Sequence, residues 1–366
     1  MTTLPLSGLT VVAIEQAVAA PFATSRLADA GARVVKIERP EGDFARGYDS
    51  AAKGQSSYFV WLNRGKETVV ADLTTPEGKA MLAGLLADAD VLVQNLKRGA
   101  LARLGFGFER LRKEFPRLIT CSISGYGEGG PMADRKAYDL LIQAESGLCS
   151  ITGGPESAAR VGISIVDVAT GATAHAAILE ALIRRSVTGE GANISVSMFD
   201  VMADWLTVPL LNHESGNTPR RLGLAHPSIA PYGVFVTRDG RQVLISIQSD
   251  REWRNLARAF LGRPELGTDP RFSTNVARVA NRAETDALVA AAFAARDLAE
   301  ATEAILEADV AFASVNDMEG LSHHPHLRRI TVDTPNGPVS YPAPAAVFDG
   351  EQRSYGAVPA LVKEEK

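Results

Sequence analysis

Five short runs rich in valine, isoleucine and leucine mark the first third of the chain: LTVVAIE (9–15), ARVVKIE (32–38), TVVADL (68–73), DVLVQN (90–95) and RLITCSISG (117–125). Their apolar residues are nearly continuous rather than alternating, the pattern of strands covered by helices on both faces. Helix-like stretches lie between several of them. PFATSRLADAG opens on Pro21, which suits a first helical turn, and ends on Gly31, which suits a C-terminal cap. PEGKAMLAGLLADA (76–89) is another. Strand, helix and strand in succession form a βαβ unit, and βαβ units build parallel sheets. The fold class expected is therefore α/β: an open parallel sheet, Rossmann-like, in a large domain.

The rest of the chain divides in two. Residues 151–166 (ITGGPESAARVGISIV) read as a Gly-rich connection, 169–186 as a long Ala-rich helix and 189–200 as a turn followed by a strand. A further helix follows, with a break expected near Pro209. After residue 214 the chain becomes rich in Gly, Pro and Ser. GVFVTRDGRQVLISI then reads as a hairpin about an Asp-Gly turn, and three helices are expected near 250–261, 283–295 and 298–307. These features predict a large α/β domain over 1–214, completed by 312–366, and a small α+β domain over 225–310.

Composition narrows the function. A net charge of −5 argues against an electrostatic nucleic-acid binder and leaves room for a local basic pocket that takes a phosphorylated ligand. Cys121 and Cys149 have no CxxC or metal spacing and are expected as thiols, without a disulfide. No signal peptide is evident, and no apolar run is expected to span a membrane, so a cytoplasmic protein is the expectation. The cluster His323, His324 and His326, with Pro325 among them, has no i, i+4 histidine pair of the kind that holds a metal and reads as a surface loop.

Single residues carry two readings each. The first turn, Glu15 to Pro21, is built of small residues before a helix start, where free backbone N–H groups favour phosphates. It lacks GxGxxG, which counts against a nucleotide-binding oxidoreductase. Lys36, Arg39, Arg64, Lys66, Lys97, Arg98, Arg103, Arg135 and Lys136 sit near strand ends and in loops, where convergent cations suit a multi-phosphate ligand. Asp167 lies between ISIV and the long helix. It reads as an N-cap, or as a carboxylate kept ionised by the helix start and able to attack a thioester. Asp139 in KAYDLLIQAESG reads as a helix-start acid.

Several segments together resemble the class III CoA-transferases, the family of formyl-CoA and carnitine CoA-transferases, and their racemase relatives. They are LSGLTVVAIEQAVAAPFATSRLADAGARVVKIERPEGD, ADLTTPEGK, VLVQNLKRGALARLGFG, SGYGEGGP, AYDLLIQAESG, GEGANISVSMFD and HPHLRR, in family order across 6–348. The resemblance implies a nucleophile at Asp167 and a supporting acid at Asp139. It implies CoA contacts at Gln16, Ala17, Val18, Arg39, Leu73, Thr75, Asn95, Leu96, Arg103 and Lys136. Tyr48 is similar in position to an aromatic residue beside the acyl group. The resemblance also implies an interlocked, ring-like homodimer, with no permanently bound cofactor and with coenzyme A as part of the substrate.

Two departures bear on chemistry. HPSIAPYG (226–233) stands where formyl-CoA transferase has a Gly-rich lid, so a different acyl pocket is expected. The racemase branch has His before the first acid, whereas this chain has Tyr138, which removes one base from a two-base proton swap. A 2-methylacyl-CoA racemase is therefore the alternative, not the first expectation. The expectation is transfer of CoA from an acyl-CoA, such as succinyl-CoA or another dicarboxylyl-CoA, to a small carboxylic acid through an aspartyl-CoA thioester. Arg46, Arg220, Arg221 and His226 are candidates for contacting a second carboxylate, and Tyr138 lies at the same acyl site.

Overall fold

The computed structural model describes residues 4–350 and 353–361, in two compact units. The larger takes in the chain up to Cys149, Arg160–Leu211 and the segment from Arg328; the smaller takes in Ser150–Ala159 and Asn212–Leu327.

Six strands form the sheet of the larger unit: β1 (Thr10–Ile14), β2 (Arg33–Glu38), β3 (Lys66–Val70), β4 (Val91–Gln94), β5 (Ile119–Ser124) and β6 (Asn193–Ser197). All pair in parallel in the order β3-β2-β1-β4-β5-β6, with Val11 opposite Val34 on one side and Val91 on the other. The order reverses between β1 and β4, and the crevice beyond the carboxyl ends of two such strands is where open α/β sheets take ligands.

The central strands are apolar on both faces because both are covered. On one face Val11, Ala13, Val34, Val91, Val93, Ile119 and Cys121 pack with α1 (Ala19–Asp29) and α5 (Ile165–Thr188). On the other, Val12, Ile14, Ile37 and Leu92 pack with Leu82 and Leu86 of α3 (Pro76–Ala87). Gly171 lets α1 and α5 cross closely: a Cβ there would lie 2.5 Å from the Ala19 carbonyl oxygen and 2.8 Å from the Phe22 side chain.

The sequence expectations shift in several places. α5 begins at Ile165, four residues earlier than periodicity suggests. By length and composition this helix could cross a membrane, contrary to expectation; its stripe of Val166, Ala169, Ala174, Ile178 and Ala181 is buried in the core. The next helix breaks at Leu206, between α6 (Met198–Trp205) and Thr207–Glu214, rather than at Pro209, which lies in the first turn of the second segment, where proline is tolerated. Cys121 and Cys149 are both free thiols, and burial pushes that of Cys121 up to about 12.

The smaller unit holds an antiparallel sheet of β7 (Tyr232–Val236), β8 (Gln242–Ser246) and β9 (Ala311–Ser314), in the order β9-β8-β7. Trp253, Phe260, Phe272, Val289, Phe293 and Ile305 pack against it. Two expected boundaries move. Residues 150–159, expected as plain connection, carry a two-residue hairpin pairing and belong to this unit. The chain re-enters the larger unit at Arg328 rather than 312, because β9 hydrogen-bonds to β8.

Candidate active site

The loops after β1 and β4 meet at the switch point. The Gln16 amide donates to the Asn95 side-chain oxygen (3.0 Å), and Asn95 Nδ2 donates to the Gln16 carbonyl (2.8 Å). Ala17 adopts a left-handed φ of 63°, unusual for a residue with a Cβ. Its amide reaches Asp43 Oδ1 at 3.2 Å, and the same oxygen accepts from the Ala45 amide at 2.9 Å. Val18, buried, is the last residue before α1.

A fully buried ionic network lies beneath this turn. Lys36 Nζ donates to Asp43 Oδ2 (2.7 Å) and lies 3.7 Å from Glu15; Lys66 Nζ donates to Glu15 Oε1 (2.6 Å). Burial pushes the Glu15 carboxyl up, but the charges of Lys66 and Lys36 outweigh it and hold the group below its ordinary value. Burial brings Lys66 down to about 8 despite Glu15. Arg64, also buried, pairs with Asp29. Lys36, Arg64 and Lys66 are therefore corrected as phosphate contacts: carboxylates of the protein occupy them, and Lys66 stands at the start of β3, away from its carboxyl end.

Arg39, Lys97, Arg98, Arg103, Arg135 and Lys136 are exposed. Thr75 caps α3, accepting from the Gly78 amide at 3.1 Å, and Leu73 in the same turn is half-buried. Leu96 lines a groove of about 810 Å³, counting space open to solvent, together with Phe106, Ser122, Ser124, Asn193 and Ser195. The floor is hydroxyl-rich because alternate residues of β5 and β6 face it.

The second half of the site is built around the start of α5. Ser164 occupies the N-cap position but makes no capping hydrogen bond; its Oγ lies 3.1 Å from the Tyr58 hydroxyl. The cap comes from Asp139, the first residue of α4 (Asp139–Glu145). Its Oδ2 accepts from the amides of Val166 (2.8 Å) and Asp167 (3.2 Å). Gln143, wholly buried one turn along α4, donates from Nε2 to Asp139 Oδ1 (2.6 Å) and accepts from the Val161 amide at Oε1 (2.9 Å).

Asp167 is thus the third residue of α5 and not its cap. The expectation that the helix start keeps it ionised is corrected as well, because the first-turn amides go to Asp139. Burial, and then the charge of Asp139, push the Asp167 carboxyl up to about 7. Tyr48 senses both acids of its surroundings: burial, then Asp43 and Asp167, raise its hydroxyl to about 12. Its ring meets Tyr58 edge-on at 5.7 Å. Tyr138, 59% exposed, immediately precedes α4. The geometry thus brings Asp139, Asp167, Tyr48 and Tyr138 into one neighbourhood.

Three candidates are placed differently. Arg46 forms a bidentate pair with Glu38 (2.7 and 2.8 Å) and stacks 3.7 Å over Phe59, so its guanidinium serves the fold. His226 belongs to the smaller unit, where its ring stacks on Tyr232 at 5.2 Å and its Nδ1 accepts from the Ser228 amide. The surrounding 226–230 segment is clamped. Arg282 donates to the carbonyls of His226 and Ile229, Arg278 to that of Ala230, and Asn275 to that of Ser228. Arg221 is taken up by the carbonyls of Ser150, Gly154 and Pro155.

Sequence reasoning missed Gln143, Asp43 and Tyr58. Gln143 had a legible signal, since it stands four residues after Asp139 on the same helix face.

Comparison with known proteins identifies the family. The description "CoA-transferase family III" matches residues 6–362. The chain is 41% identical over 295 residues to succinate–glutarate CoA-transferase of Agrobacterium fabrum, covering 78% of this chain and 73% of that protein. It is 36% identical over 350 residues to acetyl-CoA:oxalate CoA-transferase of Acetobacter aceti, covering 94% and 90%. The crystal structure of a CaiB/BaiF family protein from Brucella suis superposes with a TM-score of 0.83 at 34% identity, over 98% of this chain and 97% of the other. The chain therefore belongs to CoA-transferase family III and is a CoA-transferase.

Proposed function

We propose that the protein transfers coenzyme A from a dicarboxylyl-CoA, with succinyl-CoA as the first donor to test, to a small carboxylic acid through Asp167. The observation that carries the mechanism is a half-buried carboxylate at the start of α5 beside a second carboxylate, with no paired cation among the described residues. Poor solvation and a raised proton affinity make a carboxylate a better nucleophile. Asp167 attacks the acyl carbonyl, giving a mixed anhydride and CoA thiolate. The thiolate attacks the aspartyl carbonyl, giving an aspartyl-CoA thioester and the free donor acid. The acceptor carboxylate attacks this thioester, and the released thiolate then takes the acyl group, restoring Asp167. The bond energy of one thioester passes to the next. The amides of Val166 and Asp167 are engaged by Asp139, so oxyanion donors come from elsewhere.

The turn at Gln16, Ala17 and Val18, with Asn95 and Leu96, would receive the pantetheine arm, and the exposed Arg39, Arg103 and Lys136 its phosphates. The dicarboxylyl donor is supported by the relative that acts on succinate and glutarate. A racemase reading gains no support, since Tyr138 stands where that chemistry needs His. The test is incubation with succinyl-CoA and a panel of carboxylates, with products read by mass. New acyl-CoA species are expected; none with any donor would sink the reading.

The working unit in this reading is an entwined homodimer. Ile183 and Val187 of α5 and Trp205, Val208 and Leu211 of the following helices expose large apolar surface, which a second copy would cover. Differently tagged chains mixed under native conditions should not exchange within minutes; rapid exchange, or a monomer at micromolar concentration, would refute it.

A further inference from the structure

We infer that Gln143 is a positioning residue of the transfer reaction, because its single carboxamide ties the Asp139 carboxylate to the chain segment that leads into Asp167. The inference rests on the reading of Asp167 as nucleophile. Three observations support it. Gln143 is completely buried. Both ends of its amide are used, Nε2 on Asp139 Oδ1 at 2.6 Å and Oε1 on the Val161 amide at 2.9 Å. The other oxygen of Asp139 holds the amides of Val166 and Asp167. A carboxamide can donate to a carboxylate and accept from a backbone N–H at once, whereas a carboxylate, an ammonium or an aliphatic group can do at most one of these. The bridge thus fixes Asp139 laterally while Asp139 fixes the first turn of α5. A free Asp139 would leave the Asp167 carboxylate without a defined direction of attack, and small displacements of a reacting group cost large factors in rate.

The titratable groups placed around Asp167 are Asp139, at the start of α4, Tyr138 just before it, Tyr48, in the loop before α2 (Ser57–Asn63), and Tyr58 of α2, whose hydroxyl meets Ser164. Two variants move this arrangement in opposite senses. Gln143→Met keeps bulk and removes all three side-chain hydrogen bonds, to Asp139, to Val161 and the longer one to the Ile163 carbonyl (3.5 Å), so Asp139 is released and its charge acts less on Asp167. Gln143→Glu keeps the acceptor for Val161 but sets a second carboxyl against Asp139, adding negative charge to the group.

Steady-state kinetics of the full-length protein are measured from pH 5.5 to 9, alongside thermal melting. Both variants should lose roughly 10- to 100-fold in kcat while the acyl-CoA KM stays within about threefold. The acid limb of kcat/KM should move to lower pH in Gln143→Met and to higher pH in Gln143→Glu. A packing role would not split the limb by sign. An unmoved limb, shifts of the same sign, or a KM that rises in step with the loss of kcat overturns the inference. If one variant fails to fold, the direction of the limb in the other decides alone. Should wild type transfer no CoA at all, the functional reading fails; should wild type transfer while the variants behave like it, only the role of Gln143 fails.

Discussion

Two clusters of charge in the larger unit, one fully buried and one half-buried, are built on opposite rules. Beneath the first turn, Lys66, Glu15, Lys36 and Asp43 alternate in sign, and each carboxylate has a cation within 2.7 Å. At the start of α5, Asp139 lies beside Asp167, and among the described residues no cation pairs with either; there, backbone amides and one carboxamide are the donors to Asp139. The outcome in proton affinity follows: Glu15 is held below its ordinary range although burial opposes it, while Asp167 is pushed up to about 7. Compensated burial yields a rigid scaffold that shapes a turn. Uncompensated burial costs stability and is retained where a reactive carboxylate is wanted.

The comparison breaks most readily at Asp167. Replacing it with alanine should lower the rate of CoA transfer by about 10⁴-fold or more, while acyl-CoA binding measured by calorimetry persists. If the scaffold cluster rather than the uncompensated pair carried the chemistry, the variant would keep substantial transfer, and that result would end the assignment.

Lys66→Met tests the other cluster. It strands Glu15 between Lys36 and a methionine, and breaking one side of a buried pair typically costs about 3–5 kcal/mol. A fall in chemical-denaturation stability of that order is expected, with the folded fraction retaining kcat within a small factor. An unchanged midpoint would show that Lys36 alone compensates Glu15, and that the network is looser than its distances imply.

How much of this was readable beforehand depends on the kind of information. The strands of the sheet were legible because Val and Ile runs such as VVAI and RVVKIE must be covered on both faces. The resemblance placed Asp139 and Asp167, and the structure brings them together. What failed was pairing. Lys36 in KIERP looks like a strand-end cation, yet its partners are Glu15 and Asp43, brought to it by the parallel register of β1 and β2 and by the loop after Glu38. Asp167 looked like a cap because caps are common before long helices, but the capping carboxylate comes from 28 residues upstream. Periodicity reports which face a side chain occupies and carries no record of which remote charge meets it. β9 was missed for a related reason: AFAS is too short to show alternation, and its place is set by its pairing with β8.

The finest test of the contrast is Asp139→Asn. Asp167 must be ionised to attack, so wild-type kcat/KM should fall as pH drops below about 7, the value to which burial and the Asp139 charge bring the group. Asparagine removes the charge and leaves the burial. The ionised form of Asp167 is then less opposed, its proton is released at lower pH, and the acid limb should move down by on the order of one unit, equivalent to about 1.4 kcal/mol. The plateau above pH 8 should also drop, because the single oxygen of asparagine cannot serve both the Gln143 amide and the amides of Val166 and Asp167. A limb that stays in place while the plateau falls would mean that burial alone sets the acidity of Asp167. The two carboxylates would then be neighbours in space without being partners in charge, and the distinction between the clusters would rest on the missing cation alone.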